Sequence, residues 1–241
     1  MSDTKLGHTA ITASTLTAAS DRRAFLRMAG LAGAALAVAG CSANGNDIVA
    51  PVSSGPSGAV VNPDGSITLD FSSDVDVLNY AYALEQLEAA FYVQVVANAA
   101  FGSMFAANEQ RVLRDIRDHE IVHRDFLAAA LGAGKIPNLT PAFGTIQFNN
   151  RTSVLQTART FEDLGVSAYN GAARFLKSEV FLGLAGKIVS VEARHASAIR
   201  DLLNPRSGDF APNAFDMGNT PQAVLAAADP FIVESINVIN A

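Results

Sequence analysis

The 241-residue sequence contains one cysteine, no tryptophan and only 7% aromatic residues. A single cysteine, Cys41, excludes an intrachain disulfide. The one marked apolar stretch, from Met28 to Ala39, is shorter than the roughly 20 residues that a membrane-spanning helix requires. Because 49% of the residues are nevertheless apolar, we predict a globular chain with a core of ordinary size.

Basic runs are also absent after residue 40. Residues 1–40 hold four of the 17 Lys and Arg residues and two of the 23 acidic ones, which leaves 13 against 21 and a net charge of −8. An acidic surface of this kind argues against binding nucleic acid or anionic lipid through charge. We therefore expect no nucleic-acid partner.

The first forty residues resemble an export signal. The twin arginine Arg22-Arg23 precedes the apolar stretch, and Val38-Ala39-Gly40-Cys41 resembles the box that is cut before a lipid-bearing cysteine. We predict a signal peptide over residues 1–40, export by the twin-arginine route and a lipid anchor at Cys41 on the extracytoplasmic, periplasmic side. The alternative, a structural core cysteine, is disfavoured because Cys41 ends an apolar segment.

Residues 41–70 are rich in Ser, Gly, Pro and Asn, a composition that predicts a flexible tether. Within this tether, two short apolar runs at 59–61 and 66–69 flank Asn62-Pro63-Asp64-Gly65. Such a pattern predicts a small β-hairpin.

Residues 71–204 have helical periodicity and predict an all-α domain, a four-helix bundle. The predicted helices begin near 74, 106, 153 and 180, and the first ends at a break at Gly102-Ser103. A loop of about twenty residues between the second and third helices is suited to crossing the length of a bundle. Residues 205–241 are predicted to form a C-terminal extension that packs on the bundle, with a short helix opened by Thr220-Pro221.

Two copies of Glu-x-x-His lie in the second and fourth predicted helices, as Glu120 with His123 and Glu192 with His195. A spacing of three places both side chains on one helix face. Eight glutamates and four histidines would give roughly 0.13 such pairs by chance. Two pairs on alternate helices therefore indicate a functional site.

The first and third helices each offer a glutamate within an apolar stripe, Glu85 and Glu162, followed seven residues later by Tyr92 and Tyr169. The two halves of the domain therefore repeat the same pattern. Each tyrosine is either a core aromatic or a hydrogen-bonding or redox partner of the site. His119, beside Glu120, points about 100° away and is interpreted mainly as a surface or supporting residue.

The spacing within each half brings these residues to one level. In an antiparallel helical hairpin, residues equidistant from the turn lie at the same height; the midpoint of 85 and 120 falls at Gly102-Ser103, and that of 162 and 192 falls at 177. Glu88 competes with Glu85 as the first glutamate. Because Gly165 stands at the position equivalent to Glu88, the repeat favours Glu85.

Four buried carboxylates and two imidazoles cannot stay ionised together without compensating charge, because each buried charge costs several kcal/mol. Two divalent metal ions would bring a charge of +4, which balances the −4 of the four carboxylates. Oxygen and imidazole ligands without thiolate suit iron or manganese better than structural zinc. The sequence therefore predicts two Fe or Mn ions.

The chain resembles the ferritin-like superfamily in these motifs, and in "DVDVLNYAYALEQLEAAFY" and "FEDLGVSAYNGAA" it resembles the exported, desiccation-related branch, over about residues 70–235. This resemblance implies that Glu120 and Glu192 bridge the metals. It implies terminal ligands at the other four positions, Glu85, Glu162, His123 and His195. The export signal, lipid anchor, tether and extension differ from storage ferritins, so we expect no closed iron-storing shell, although another oligomer stays open.

Three functions fit these features. The first is an exported di-metal oxidoreductase acting on O₂, peroxide or ferrous iron. The second is a manganese catalase-like enzyme. The third is a non-catalytic envelope or stress protein whose metal only stabilises the fold.

Overall fold

The computed structural model describes residues 59–241, so the predicted signal peptide, Cys41 and most of the predicted tether lie outside the described residues. The elements, in chain order, are β1 (Val60–Val61), β2 (Ile67–Asp70), α1 (Asp74–Ala97), α2 (Phe101–Met104), α3 (Ala107–Leu131), α4 (Arg151–Ala172), α5 (Glu179–Leu203), α6 (Pro221–Ala228) and β3 (Ile236–Ile239).

Four long helices form the predicted bundle, α1 packing chiefly on α3 and α4 chiefly on α5. These helices contain 24, 25, 22 and 25 residues. In α1, 17 of the 24 residues are buried, as expected for a helix that is apolar on nearly all sides. The mostly helical fold is thus confirmed. None of the helices within residues 59–241 is both long and apolar enough to cross a membrane.

The predicted break between the first two long helices is a short linking segment. Gly102 and Ser103 lie inside α2, a single helical turn, while the chain leaves helical geometry on either side of it. At the other end of the bundle, the Asp74 carboxylate accepts hydrogen bonds from the backbone N–H groups of Lys177 and Ser178, both at 2.8 Å. Asp74 therefore ties the start of α1 to the α4–α5 turn.

The long α3–α4 connection crosses the bundle along α1. The Asn79 side chain donates to the carbonyl of Gly134 at 2.9 Å and accepts from the N–H of Ile136 at 2.8 Å. The Gln86 side-chain oxygen accepts from the N–H of Leu139 at 2.9 Å. Polar side chains of α1 thus satisfy backbone groups of the connecting segment.

A small three-stranded sheet, in the order β1-β2-β3, lies beside the bundle. The predicted hairpin is confirmed, because β1 pairs with β2 antiparallel, but β2 also pairs in parallel with β3 of the C-terminal extension, which the sequence did not predict. Ile67 and Leu69 of β2 are 1% and 0% exposed. Residues 60–70, which we assigned to the tether, are therefore part of the folded domain.

Candidate metal centre

The six predicted site residues meet inside the bundle, one glutamate from α1, one from α4, and a Glu-x-x-His pair from each of α3 and α5. The four glutamates are each 0% exposed, while His123 is 9% and His195 is 4% exposed. The residues brought together are Glu85, Glu120, His123, Glu162, Glu192 and His195.

Their ligand atoms form two overlapping groups, in each of which the atoms lie within 4.8 Å of one another. The first group adds Glu85 and His123 to Glu120 and Glu192, and the second adds Glu162 and His195 to the same two glutamates. Each group is of a kind that could hold a metal ion. Glu120 and Glu192 belong to both groups.

His123 points its Nδ1 atom at three carboxylates. This nitrogen lies 2.9 Å from Glu192 Oε1, 3.4 Å from Glu120 Oε2 and 3.5 Å from Glu85 Oε2. A single nitrogen at similar distances from three oxygens cannot form a good hydrogen bond with each of them. The four side chains converge on a common point.

His195 repeats this arrangement in the second group. Its Nδ1 atom lies 2.7 Å from Glu120 Oε1, 3.4 Å from Glu162 Oε2 and 4.0 Å from Glu192 Oε2. Because α3 and α5 carry the same motif, the two histidines present equivalent atoms to the two shared glutamates. The internal repeat seen in the sequence is therefore also a repeat in space.

The tyrosines that follow Glu85 and Glu162 by seven residues bond across the two halves. Tyr92 of α1 donates a 2.5 Å hydrogen bond to Glu162 Oε1, and Tyr169 of α4 donates a 2.6 Å hydrogen bond to Glu85 Oε1. Burial raises the pKa of both hydroxyls well above the ordinary value of 10, so both remain protonated donors. Of the two interpretations left open, they are hydrogen-bonding partners of the site.

Within residues 59–241, the remaining polar atoms of the centre are buried without a hydrogen bond to any group outside the centre, and their close contacts are with one another. Buried polar atoms are normally paired, so eight such atoms in one place require an explanation. They are Glu85 Oε2, Glu162 Oε2, both oxygens of Glu120, both oxygens of Glu192, and the Nδ1 atoms of His123 and His195. All eight belong to the two groups described above.

A comparison with protein-family models decides the family. A model described as a ferritin-like domain matches residues 73–205, which is more than half of the chain and includes all four long helices. The chain belongs to the ferritin-like domain family. No curated protein matches it significantly. The sheet, α6 and the rest of the C-terminal extension lie outside the matched part of the ferritin-like domain.

His119 of this ferritin-like domain supports His195 from the outside. Its Nδ1 atom lies 2.9 Å from His195 Nε2, and the two rings are nearly parallel, with an interplanar angle of 13° and centroids 5.2 Å apart. Burial lowers the pKa of His119. A neutral His119 can accept the Nε2 proton of His195, which leaves His195 Nδ1 as a lone-pair donor.

Glu88, which the internal repeat disfavours as a ligand, is also a glutamate beside the centre. The structure places Glu85, and not Glu88, in the first group, yet Glu88 is only 3% exposed. A Cβ atom built at Gly165 would lie 3.0 Å from Glu88 Oε1 and 3.4 Å from Glu192 Oε2. Two features of the sequence could have identified Glu88: it follows Glu85 by three residues, on the same helix face, and its equivalent in the repeat is the glycine Gly165.

The carboxylates of the centre carry more negative charge than the protein compensates. Burial raises the pKa of Glu85, Glu162 and Glu192 above the ordinary range. Burial acts in the same direction on Glu120, but the two neighbouring histidines outweigh it and lower its pKa to about 2. Burial would lower the pKa of His195, but Glu120 and Glu162 raise it to about 10. Without added cations, the centre therefore favours bound protons.

Proposed function

We propose that this ferritin-like protein binds two iron or manganese ions in the centre and acts as an oxidoreductase on O₂, peroxide or ferrous iron. The pattern of unpaired atoms carries the proposal. Glu85 and Glu162 each have one oxygen that makes no hydrogen bond within residues 59–241, because a tyrosine holds the other oxygen, whereas Glu120 and Glu192 each have two. A glutamate with one available oxygen suits coordination of a single ion, and a glutamate with two available oxygens suits a bridge between two ions.

Charge supports the same stoichiometry. The four carboxylates of the two groups bring a charge of −4, and two divalent ions bring +4. Burial first, and then repulsion between the carboxylates, raises the pKa of Glu85 and Glu192, and two cations would compensate both effects. His123 and His195 would then provide one neutral nitrogen to each ion. A donor set of carboxylates and imidazoles without thiolate favours iron or manganese.

The centre fits a small substrate. Its glutamates are fully buried, and a buried site excludes water and favours molecules of the size of O₂ or H₂O₂. A bound pair of iron or manganese ions would supply the electron-transfer chemistry. The protein's own residues orient and restrain the ligands, with Tyr92 and Tyr169 fixing the two outer carboxylates and His119 fixing the His195 ring.

We also propose that the protein acts outside the cytoplasm. The twin arginine, the apolar stretch and the Val-Ala-Gly-Cys box support export by the twin-arginine route and a lipid at Cys41. Such an anchor would hold the domain at the extracytoplasmic face of a membrane. Its partners would be a small oxidant or a metal ion, and neither nucleic acid nor a closed storage shell is part of the proposal.

Elemental analysis and rapid kinetics test this function. Protein purified from its native envelope should hold about two Fe or Mn ions per chain, Glu120→Gln should lose most of them, and the exposed Glu179→Gln should lose none. The reduced, metal-loaded protein should be oxidised by O₂ or peroxide much faster than His123→Ala or His195→Ala in stopped-flow absorbance.

Each alternative function has its own outcome. Oxygen release from peroxide by manganese-loaded protein would identify the catalase-like activity, which is a form of the proposed oxidoreductase. Bound metal with equal oxidation rates in the wild type and both histidine variants would contradict an oxidoreductase and leave a structural metal. Wild-type protein without bound metal would contradict the whole proposal.

A further inference from the structure

Glu88 is a buried acid without a favourable partner. It lies one turn after Glu85 on α1, is 3% exposed, and makes no hydrogen bond or ion pair with any residue in 59–241. After burial itself, the groups that most strongly raise its pKa are four carboxylates, those of Glu192, Glu120, Glu85 and Glu162. A carboxylate among other buried carboxylates is costly unless protons or cations compensate its charge.

Gly165 provides the space into which Glu88 projects. It occupies the position on α4 that corresponds to Glu88 on α1, three residues after Glu162. A Cβ atom at Gly165 would approach Glu88 Oε1 to 3.0 Å and Glu192 Oε2 to 3.4 Å. The absence of a side chain there therefore lets the Glu88 carboxylate lie in the same gap as one oxygen of Glu192.

We propose that Glu88 is a fifth carboxylate of the metal centre and contributes an oxygen ligand through the gap that Gly165 leaves open. This inference rests on the proposed function, because it requires the bound ions. Each group of four residues leaves about two positions of a six-coordinate ion for other ligands. In the described part of the chain, Glu88 is a buried acid beside the centre whose carboxylate makes no hydrogen bond or ion pair.

One consequence is that the centre is asymmetric. Glu85 and Glu162 are equivalent under the internal repeat, whereas Glu88 has a glycine as its counterpart. A fifth carboxylate on one side adds both a ligand and a negative charge there. The two ions therefore bind with different affinities, even though the remaining ligands repeat.

Anaerobic titration of the metal-free, full-length protein with Co²⁺ tests the assignment, because the visible absorption of Co²⁺ depends on its ligands. We expect two ions in the wild type and in Glu88→Gln. In Glu88→Gln, one of them should bind at least about tenfold more weakly, with a changed spectrum. Glu179→Gln removes the same charge from an exposed position on α5 and should match the wild type.

The variant Gly165→Ala tests the gap. Its methyl group would displace the Glu88 carboxylate, so it should weaken the same ion and change the same part of the spectrum. In a Glu88→Ala background there is no carboxylate to displace, and Gly165→Ala should then have little further effect. This non-additivity distinguishes a displaced ligand from general damage to the bundle, and circular dichroism confirms that each variant is folded.

The outcomes separate this inference from the proposed function. Two tightly bound ions with unchanged affinity and spectrum in Glu88→Gln would overturn the assignment of Glu88 while leaving the di-metal centre intact. Additive effects of Gly165→Ala and Glu88→Ala would also overturn it. A wild-type protein that binds no Co²⁺ would instead contradict the proposed function itself.

Discussion

Tyr92 in α1 donates a 2.5 Å hydrogen bond to Glu162 in α4, 70 residues later in the chain. The reciprocal bond runs from Tyr169 in α4 to Glu85 in α1 at 2.6 Å. Each half of the domain thus orients the outer glutamate of the other half. Since each tyrosine occupies one oxygen of its glutamate, the second oxygen is directed at the centre.

Removing either tyrosine hydroxyl should weaken metal binding. In Tyr92→Phe or Tyr169→Phe, a buried carboxylate oxygen loses its donor, which should cost about 1–3 kcal/mol of unfolding free energy in the metal-free protein. Metal affinity should fall about 10- to 100-fold. Chemical denaturation and metal titration measure the two effects.

Tyr80 provides the matched control for this prediction. It is 1% exposed, and its buried hydroxyl makes no hydrogen bond with any of residues 59–241. Tyr80→Phe should therefore leave metal affinity unchanged and should not destabilise the protein. Equal metal affinities in Tyr92→Phe, Tyr169→Phe and Tyr80→Phe would show that the cross-half hydrogen bonds do not orient the ligands.

Much of the bundle could be predicted from periodicity. The third long helix was expected from Ser153 and is observed from Arg151, and the fourth was expected from Val180 and is observed from Glu179. Local signals set these ends, since Asn150 and Ser178 cap their helices through their side chains. The sequence also predicts that the six site residues lie at the same height in the bundle, because height along a helical hairpin depends only on the number of residues from the turn.

The remaining features depend on contacts between distant segments. The pairing of β2 with β3 joins Ile67 to Ile236, and neither short run specifies a partner by itself. The contact between Gly165 and Glu88 could not be predicted either. From the sequence, Gly165 only shows that the repeat has no glutamate at that position, and not that the Glu88 side chain lies against it. The contact of His119 with His195 joins two helices whose rotation about their axes the sequence does not determine.

His119 should affect the two ions unequally, because it contacts His195 and not His123. We expect His119→Ala to weaken the ion on the His195 side about tenfold or more, so that limiting metal fills one site before the other. Asp118→Asn, at the adjacent exposed position, serves as the control. Equal weakening of both ions, or no weakening, would contradict a specific orienting role.

The predicted lipid anchor can be tested apart from the metal centre. Cys41 lies outside the described residues, so the expectation rests on the sequence, which has a twin arginine, an apolar stretch and then the Val-Ala-Gly-Cys box. Cys41→Ala should move the protein from the membrane fraction to the soluble fraction, and mass spectrometry of the wild type should find a lipid-modified Cys41 at the mature N-terminus. Unchanged fractionation of the variant would contradict anchoring at this residue.

The metal-free protein should lose stability as the pH rises above about 5. Burial raises the pKa of Glu85 from 4.5 to about 7, and carboxylates raise that of His195 from 6.5 to about 10. A group whose folded-state pKa is raised stabilises the fold below its unfolded pKa, and this stabilisation is lost as the pH rises through the folded pKa. Glu120 has a lowered pKa of about 2 and acts oppositely, but only below about pH 4.5.

Thermal unfolding of the metal-free protein should therefore show a Tm that falls by several degrees between pH 5 and pH 8. Glu85→Gln removes one of the titrating groups and should flatten this slope. Protein loaded with Mn²⁺ should lack the decline, because the ions replace the protons as the compensating charge and bind more tightly once the ligands are deprotonated. A metal-free Tm that stays constant or rises from pH 5 to pH 8 would show that the buried carboxylates are compensated by something other than protons or metal.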